Sequence, residues 1–302
     1  MTISEILQSV RRVEISTRRL TTDTMVGAYL SQFKGRGLDF EELREYIPGD
    51  DVRDIDWNVT RRMGRPFVKR HREERELAVV LAVDISASSD FGSCRRTKRE
   101  FAAEVAATLA FSAAHNSDKV ALLLFTDRVE LFLPPRKGRK HLLRVIREML
   151  FFEPAGRATQ IPVAMASLNR LLHRRSLVFL LTDFLHCFDV QPAAAATGRT
   201  TMREIGFTNG RHDLVCVHLL DPRERQLPRA GLLTLEDAET GEMTEVDSSR
   251  AQVREAYSRN NASRTAALDK ALRQAGVQTL RLTAAEPFVR TLQMFFETRY
   301  RR

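Results

Sequence analysis

The sequence is short of the residues that would make it a disulfide scaffold, a zinc protein or a membrane span. Its 302 residues include three cysteines, Cys94, Cys187 and Cys216. They are odd in number, far apart and outside any CxxC or Cys/His spacing, so they read as reduced thiols. No apolar run approaches the roughly 20 residues that cross a bilayer. The stretch MTISEILQSVRRVE lacks the uninterrupted apolar core of a signal peptide. A cytoplasmic protein without a membrane span is therefore expected. Aromatic residues make up only 7%, with one tryptophan. The basic segments do not interleave them as a single-strand binding surface would, so nucleic acid is not expected as a partner. Catalytic signatures are missing as well. There is no GxSxG elbow and no GxxxxGK[ST] phosphate loop, and the seven histidines include no HxxxH pair and no HExxH.

What the chain does have is an excess of positive charge, +9, from 48 Lys and Arg against 39 Asp and Glu. The excess is local, in RRMGRPFVKRHREER (61–75), PPRKGRKHLLRVIR (134–147), HRR (173–175) and the terminal RYRR. Such patches suit phosphates, anionic lipid or an acidic protein surface. A solvated basic face or an acidic-partner surface is the favoured reading.

Residues 3–20 carry a loose helical stripe, Ile3, Ile6, Leu7, Val10, Val13 and Ile15. The segment 35–74 mixes acidic and basic residues densely around Trp57. Pro48-Gly49 reads as a turn, and Asp50 or Asp51 as the cap of a short helix bearing Val52, Ile55 and Trp57. We expect a compact subdomain in which Asp50, Asp51, Asp54 and Asp56 cap a helix and pair with Arg44, Arg53, Arg61 and Arg62, with Trp57 buried against the rest of the chain. From Glu76 onward, strands at 77–84, 120–126, 129–134, 176–183, 213–220 and 277–283 alternate with helices at 94–116, 138–151, 161–173, 192–205 and 248–275 and a closing helix. Phe101, Val105 and Leu109 mark a core face. The stretch 231–247 reads as a hairpin turning at Thr240-Gly241. Continuous apolar strands between helices predict an α/β fold, a doubly wound, mostly parallel Rossmann-type sheet. The N-terminal segment, 1–75, is expected to be helical or irregular; residues 76–302 form the sheet domain with the hairpin inserted.

In AVVLAVDISASSDFGS (78–93) an apolar strand ends in Asp84, and Ser86 and Ser88 follow at spacings of two. While the chain stays extended, all three side chains share one side. Such a row of hard oxygen atoms suits a hard cation; from this stretch alone a helix cap is the better reading, so further ligands must come from elsewhere in the chain. The loop EPAGRATQIP (153–162) adds Thr159, and the strand SLVFLLTD ends in Asp183. Asp84, Ser86, Ser88, Thr159 and Asp183 together resemble the metal-ion-dependent adhesion site of von Willebrand factor A domains. That site combines Asp-x-Ser-x-Ser after the first strand, a threonine from a later loop and an aspartate after the fourth strand. The family's loop often continues Thr-Asp, where this chain has Gln160.

The segment GRGLDFEELREYIPGDDVRDIDW followed by such a strand also resembles a bacterial family labelled domain of unknown function 58. Gly35, Gly37, Arg44, Tyr46, Pro48, Gly49, Asp50, Arg53, Asp56 and Trp57 carry that likeness. Its members join an N-terminal segment to a von Willebrand A-like domain and are often encoded beside MoxR-type AAA+ ATPases. The resemblance implies Mg²⁺ or Mn²⁺ at the five residues, an acidic residue of a client or partner protein completing the metal's shell, and service to a MoxR-type AAA+ ATPase as adaptor in assembly or maturation of a protein complex. A non-enzymatic interaction module is thus expected. The competing classes are a metal-dependent hydrolase of a phosphate-containing substrate and a nucleic-acid-binding module. His186 is the histidine nearest Asp183 in sequence, and no base is evident for Ser86 or Ser88.

Overall fold

The computed structural model describes residues 39–47, 50–51, 55–72, 77–94, 96–185 and 192–300. The stripe at 3–20, together with Gly35, Gly37, Pro48, Gly49, Val52, Arg53, Asp54, His186 and Cys187, lies outside the described residues.

The N-terminal part is not simply helical or irregular. Strand β1 (Asp39–Glu45) pairs antiparallel with β2 (Phe67–Arg72), and helix α1 (Trp57–Met63) lies between them in sequence. Asp56, rather than Asp50 or Asp51, caps α1, accepting from the Asn58 and Val59 amides at 2.9 and 3.2 Å. Gly64, in the left-handed region at φ 69°, closes the helix. The Arg44–Asp50 ion pair forms at 2.6 Å. The expected burial of Trp57 is wrong: the side chain is 66% exposed, and α1 buries none of its residues. A seven-residue helix held by caps needs no apolar face; among the described residues of this subdomain Val68, bridged by Ile55, is the buried one.

The main sheet begins with β3 (Ala78–Asp84), β4 (Lys119–Phe125) and β5 (Val129–Arg136). It continues with β6 (Leu177–Thr182), β7 (Asp213–Leu220) and, last in sequence, Gln278–Thr283. Between β7 and that last strand come the hairpin strands β8 (Leu232–Glu236) and β9 (Met243–Asp247), so the last strand is β10. The order across the sheet is β10-β7-β6-β3-β4-β5, with β5 alone antiparallel, at an edge. This is the doubly wound arrangement that the continuous apolar strands predict.

Helices α2 (Lys98–His115), α3 (Arg139–Phe151), α4 (Ile161–Leu171), α5 (Pro192–Arg211), the one-turn α6 (Pro222–Arg225), α7 (Ala251–Gln274) and α8 (Phe288–Tyr300) complete the domain. Alternation along the strands divides the interior in two. Val79, Leu81 and Val83 of β3 pack with Phe101, Val105 and Leu109 of α2, with Val145 and Ile146 of α3, and with Leu292 and Phe296 of α8. Val80 and Ala82 pack on the other face with Met165 and Leu168 of α4, Ile205 of α5 and Leu268 and Leu272 of α7. With both faces covered, β3, β4, β6 and β7 have no need of polar residues until they emerge at their carboxyl ends.

Candidate functional site

The sheet order reverses direction between β3 and β6, and in open α/β sheets ligands bind beyond the carboxyl ends of the strands at that point. Asp84 ends β3 and Asp183 follows β6. Because Val80 faces Val178 and Ala82 faces Leu180, the same register sets Asp84 beside Thr182, whose hydroxyl donates to Asp84 Oδ2 at 2.7 Å. The other oxygen, Oδ1, accepts from the Ser86 amide at 3.0 Å. That bond turns the chain into a short 3₁₀ segment, Ala87–Asp90.

Three hydroxyls line the turn. Ser86 Oγ lies 3.2 Å from Ser88 Oγ and 2.8 Å from Thr159 Oγ1. Thr159 is delivered by the loop between α3 and α4, which is fastened at several points. Ala87 N donates to Arg157 O at 2.9 Å, Gln160 N to Thr126 O at 2.9 Å, and Gly156 N to Glu130 Oε1 at 2.7 Å. Gly156 sits so close to the Thr126 and Asp127 side chains that a Cβ there would overlap both. Thus all five residues meet, Asp183 joining through a side-chain hydrogen bond from Ser88.

Asp183 belongs to a second network that the sequence did not reveal. Its Oδ2 accepts from Lys98 Nζ at 2.5 Å, and Oδ1 from the Leu185 amide at 3.2 Å. Lys98 stands in the first turn of α2, only 2% exposed, and its ammonium also pairs with Glu224. Glu224 in turn closes a capping box on Asp221, and the fully buried Asp221 receives the Ser93 amide and hydroxyl at 2.8 and 2.5 Å. Phe184, next to Asp183, adopts φ 55°, an uncommon conformation for a bulky residue. It sets its ring edge-on to His218 at 5.6 Å.

The charges follow from burial and neighbours. Burial, and after it the Asp183 charge, push the Asp84 carboxyl up to about 6 against the pull of Thr182 and Ser86. Burial also works against ionisation of Asp183, but Lys98, the Leu185 amide and Ser88 outweigh it and hold the carboxyl below its ordinary range. Lys98 is disfavoured by burial yet kept above its ordinary value by Asp183 and Glu224. Glu224 is raised, because burial exceeds the attraction of Lys98. Burial lowers His218 to about 4, so its imidazole is neutral at pH 7.

The residues fit a small hard cation. Ligand oxygens about 2.0–2.1 Å from an octahedral Mg²⁺ lie about 2.9 Å from their neighbours, close to the 2.8 and 3.2 Å hydroxyl separations here. Asp84, Asp183 and Glu224 against Lys98 leave two negative charges when ionised. Among the described residues no three His, Cys, Asp or Glu side chains gather as a metal cluster, so the donors available here are chiefly hydroxyls. Lys98, Glu224, Asp221 and His218 were missed because other helices and strands bring them in, and Thr182, beside Asp183 on β6, because only the pairing with β3 sets it against Asp84. No sequence signal singles out Lys98: the Thr97–Glu100 capping box beside it marks a helix start and no more.

A doubly wound α/β sheet gathers hydroxyls and aspartates at its switch point, the arrangement expected of a von Willebrand A-like domain. Residues 42–267 match the family described as Protein of unknown function DUF58, and the chain belongs to it. It is 30% identical over 295 residues to uncharacterized proteins of Mycobacterium tuberculosis and Mycobacterium bovis, covering 97% of this chain and 89% of theirs. Among solved structures it is similar to the conserved hypothetical protein BatB from Bacteroides thetaiotaomicron (14% identity, TM-score 0.45, 75% of this chain and 100% of that one). It is also similar to the SpRpn10 VWA domain (11% identity, TM-score 0.40, 72% and 94%). Among the described residues no helix is long and apolar enough to cross a membrane.

Proposed function

We propose that the chain is a non-catalytic protein-interaction module whose switch-point site holds Mg²⁺ or Mn²⁺ and presents it to an acidic side chain of a partner. The carrying observation is the row of Ser88, Ser86 and Thr159 hydroxyls at 3.2 and 2.8 Å, flanked by Asp84 and Asp183. Neutral hydroxyls would touch the ion. The two carboxylates, buried behind the hydroxyl row with Asp183 paired to Lys98, would act on it mainly through water. An ion so held keeps much of its charge and attracts a carboxylate. Family membership supports a MoxR-type AAA+ ATPase as the machine served, with the module acting as adaptor in assembly or maturation of a protein complex.

Against the hydrolase reading, no histidine among the described residues hydrogen-bonds to Ser86 or Ser88. The hydroxyls of Ser86 and Ser88 bond to one another, to Thr159 and to Asp183, and the neutral His218 hydrogen-bonds to the Asp183 main chain. The basic residues Arg136, Lys137, Arg139, Lys140, Arg144 and Arg147 are exposed around the start of α3, which suits an acidic protein surface. Affinity capture in Mg²⁺ against EDTA tests the proposal, alongside phosphatase and nuclease assays of the chain alone. Partners lost on chelation and on Asp84→Ala are expected; turnover that Asp84→Ala abolishes would replace the adaptor with an enzyme.

A further inference from the structure

We propose that Glu239, at the tip of the β8–β9 hairpin, is the site's own carboxylate ligand, filling the place that an acidic partner residue must take. The inference rests on the metal reading above. Glu239 Oε1 receives the Thr159 hydroxyl at 2.6 Å, and Oε2 receives the Thr159 amide at 3.0 Å. A carboxylate can only accept, so the Thr159 hydroxyl donates toward Glu239, and the same proton also faces Ser86 Oγ, 2.8 Å away. Glu239 thereby extends the hydroxyl row by one oxygen at nearly the same spacing, and this oxygen carries the charge that the three hydroxyls lack.

The hairpin is built to present that side chain. Its turn is closed by Gly241 N donating to Asp237 O at 2.7 Å and Asp237 N to Glu242 O at 2.9 Å. Asp237 Oδ1 accepts from the Glu239 and Thr240 amides at 2.9 and 3.2 Å, which fixes the tip. Gly241, at φ 75°, supplies the left-handed residue the turn needs. The strands behind it are not packed into the domain: Leu232 and Met243 are 66% and 71% exposed. At the base, Gly231 at φ 79° and the Ser248 bonds to Gly231 and Ala230 clasp the two ends of the arm together. A rigid tip on an exposed arm, hydrogen-bonded to a candidate metal ligand 80 residues earlier, makes an internal occupant. Partner binding then exchanges one carboxylate for another and frees the hairpin.

Mn²⁺ serves as the probe, with affinity read by calorimetry and bound water by proton relaxation, on wild type, Glu239→Ala, Glu239→Gln and Asp84→Ala. Loss of groups that merely orient ligands costs about 10–100-fold in metal affinity. Glu239→Ala is expected to lose at least about tenfold, to show more water on the ion, and to let added acetate displace that water where wild type does not. Glu239→Gln, which keeps an oxygen for Thr159 without the charge, should fall between. Wild type and Glu239→Ala binding Mn²⁺ equally, with the same hydration and acetate response, would overturn the role of Glu239 while leaving the metal site standing. Absence of Mn²⁺ binding in wild type would overturn both.

Discussion

Asp84→Asn should stabilise the metal-free protein while destroying its response to metal. In the fold the Asp84 carboxyl rises from its ordinary 3.8 to about 6, chiefly through burial and the nearby Asp183. An acid whose folded value is raised loses stability as pH climbs through that value, because the ionised form prefers the unfolded chain. The stabilising share is thus complete below pH 4 and gone above pH 6, a swing of roughly 3 kcal/mol. Asparagine removes the charge and keeps the shape. Its oxygen can accept from the Ser86 amide, and its amide can donate to a rotated Thr182 hydroxyl. Allowing for weaker hydrogen bonds, the gain at pH 8 in EDTA should be about 1–3 kcal/mol. That corresponds to about 2–4 °C in Tm per kcal/mol for a domain of this general size. The advantage should fade as pH drops toward 4. Excess Mg²⁺ closes or reverses the gap, since saturation a hundredfold above Kd stabilises wild type by about 2.7 kcal/mol and the variant hardly at all. Denaturant titrations across pH, with Mg²⁺ and with EDTA, measure all of this. A variant less stable than wild type at pH 8 in EDTA, and equally so at pH 5, would refute the electrostatic reasoning.

Lys98→Met leaves Asp183 and Glu224 without their shared cation inside the protein, a loss expected to cost about 3–5 kcal/mol in denaturant melts at pH 7. A smaller deficit in Mg²⁺ than in EDTA would show the ion partly replacing the ammonium. Gly156→Ala should push the Thr159 loop off Thr126 and Asp127, weakening Mn²⁺ binding in calorimetry more than it lowers Tm; unchanged binding would mean the loop does not set the site. Trp57→Ala, at an exposed position, should alter stability by no more than about 0.5 kcal/mol. Phe101→Ala should cost about 3–5 kcal/mol, and the two melts measured together check the burial contrast.

The sheet was legible because its strands are buried on both faces and so read as continuous apolar runs with polar punctuation. β7 falls at 213–220 as expected, while α2 begins at Lys98 instead of Cys94, where the Thr97–Glu100 capping box marks the start. β1 and β2 escaped notice because FVKRHR is too basic to look like a strand, and only its backbone pairing with β1 makes it one. Trp57 misled for the opposite reason: a lone aromatic among charges suggests a core, whereas here backbone caps hold its helix. At the site, Asp84, Ser86 and Ser88 form a local pattern and could be read from spacing. Lys98, Glu224 and Glu239 could not, since each is an ordinary surface-type residue until the crossover helices and the hairpin carry it to the strand ends.

Asp84 also serves the sheet as a register mark. A one-residue slip of a strand exchanges its two faces. In β3 such a slip would swap Val79, Leu81 and Val83 with Val80 and Ala82, an exchange of one apolar set for another that two greasy interiors would tolerate better than most. The aspartate makes it intolerable, because it would carry a carboxylate away from Thr182 toward the side lined by Phe101 and Val105. The same residue that offers oxygen at the mouth of the sheet therefore tells an otherwise monotonous strand where to stop.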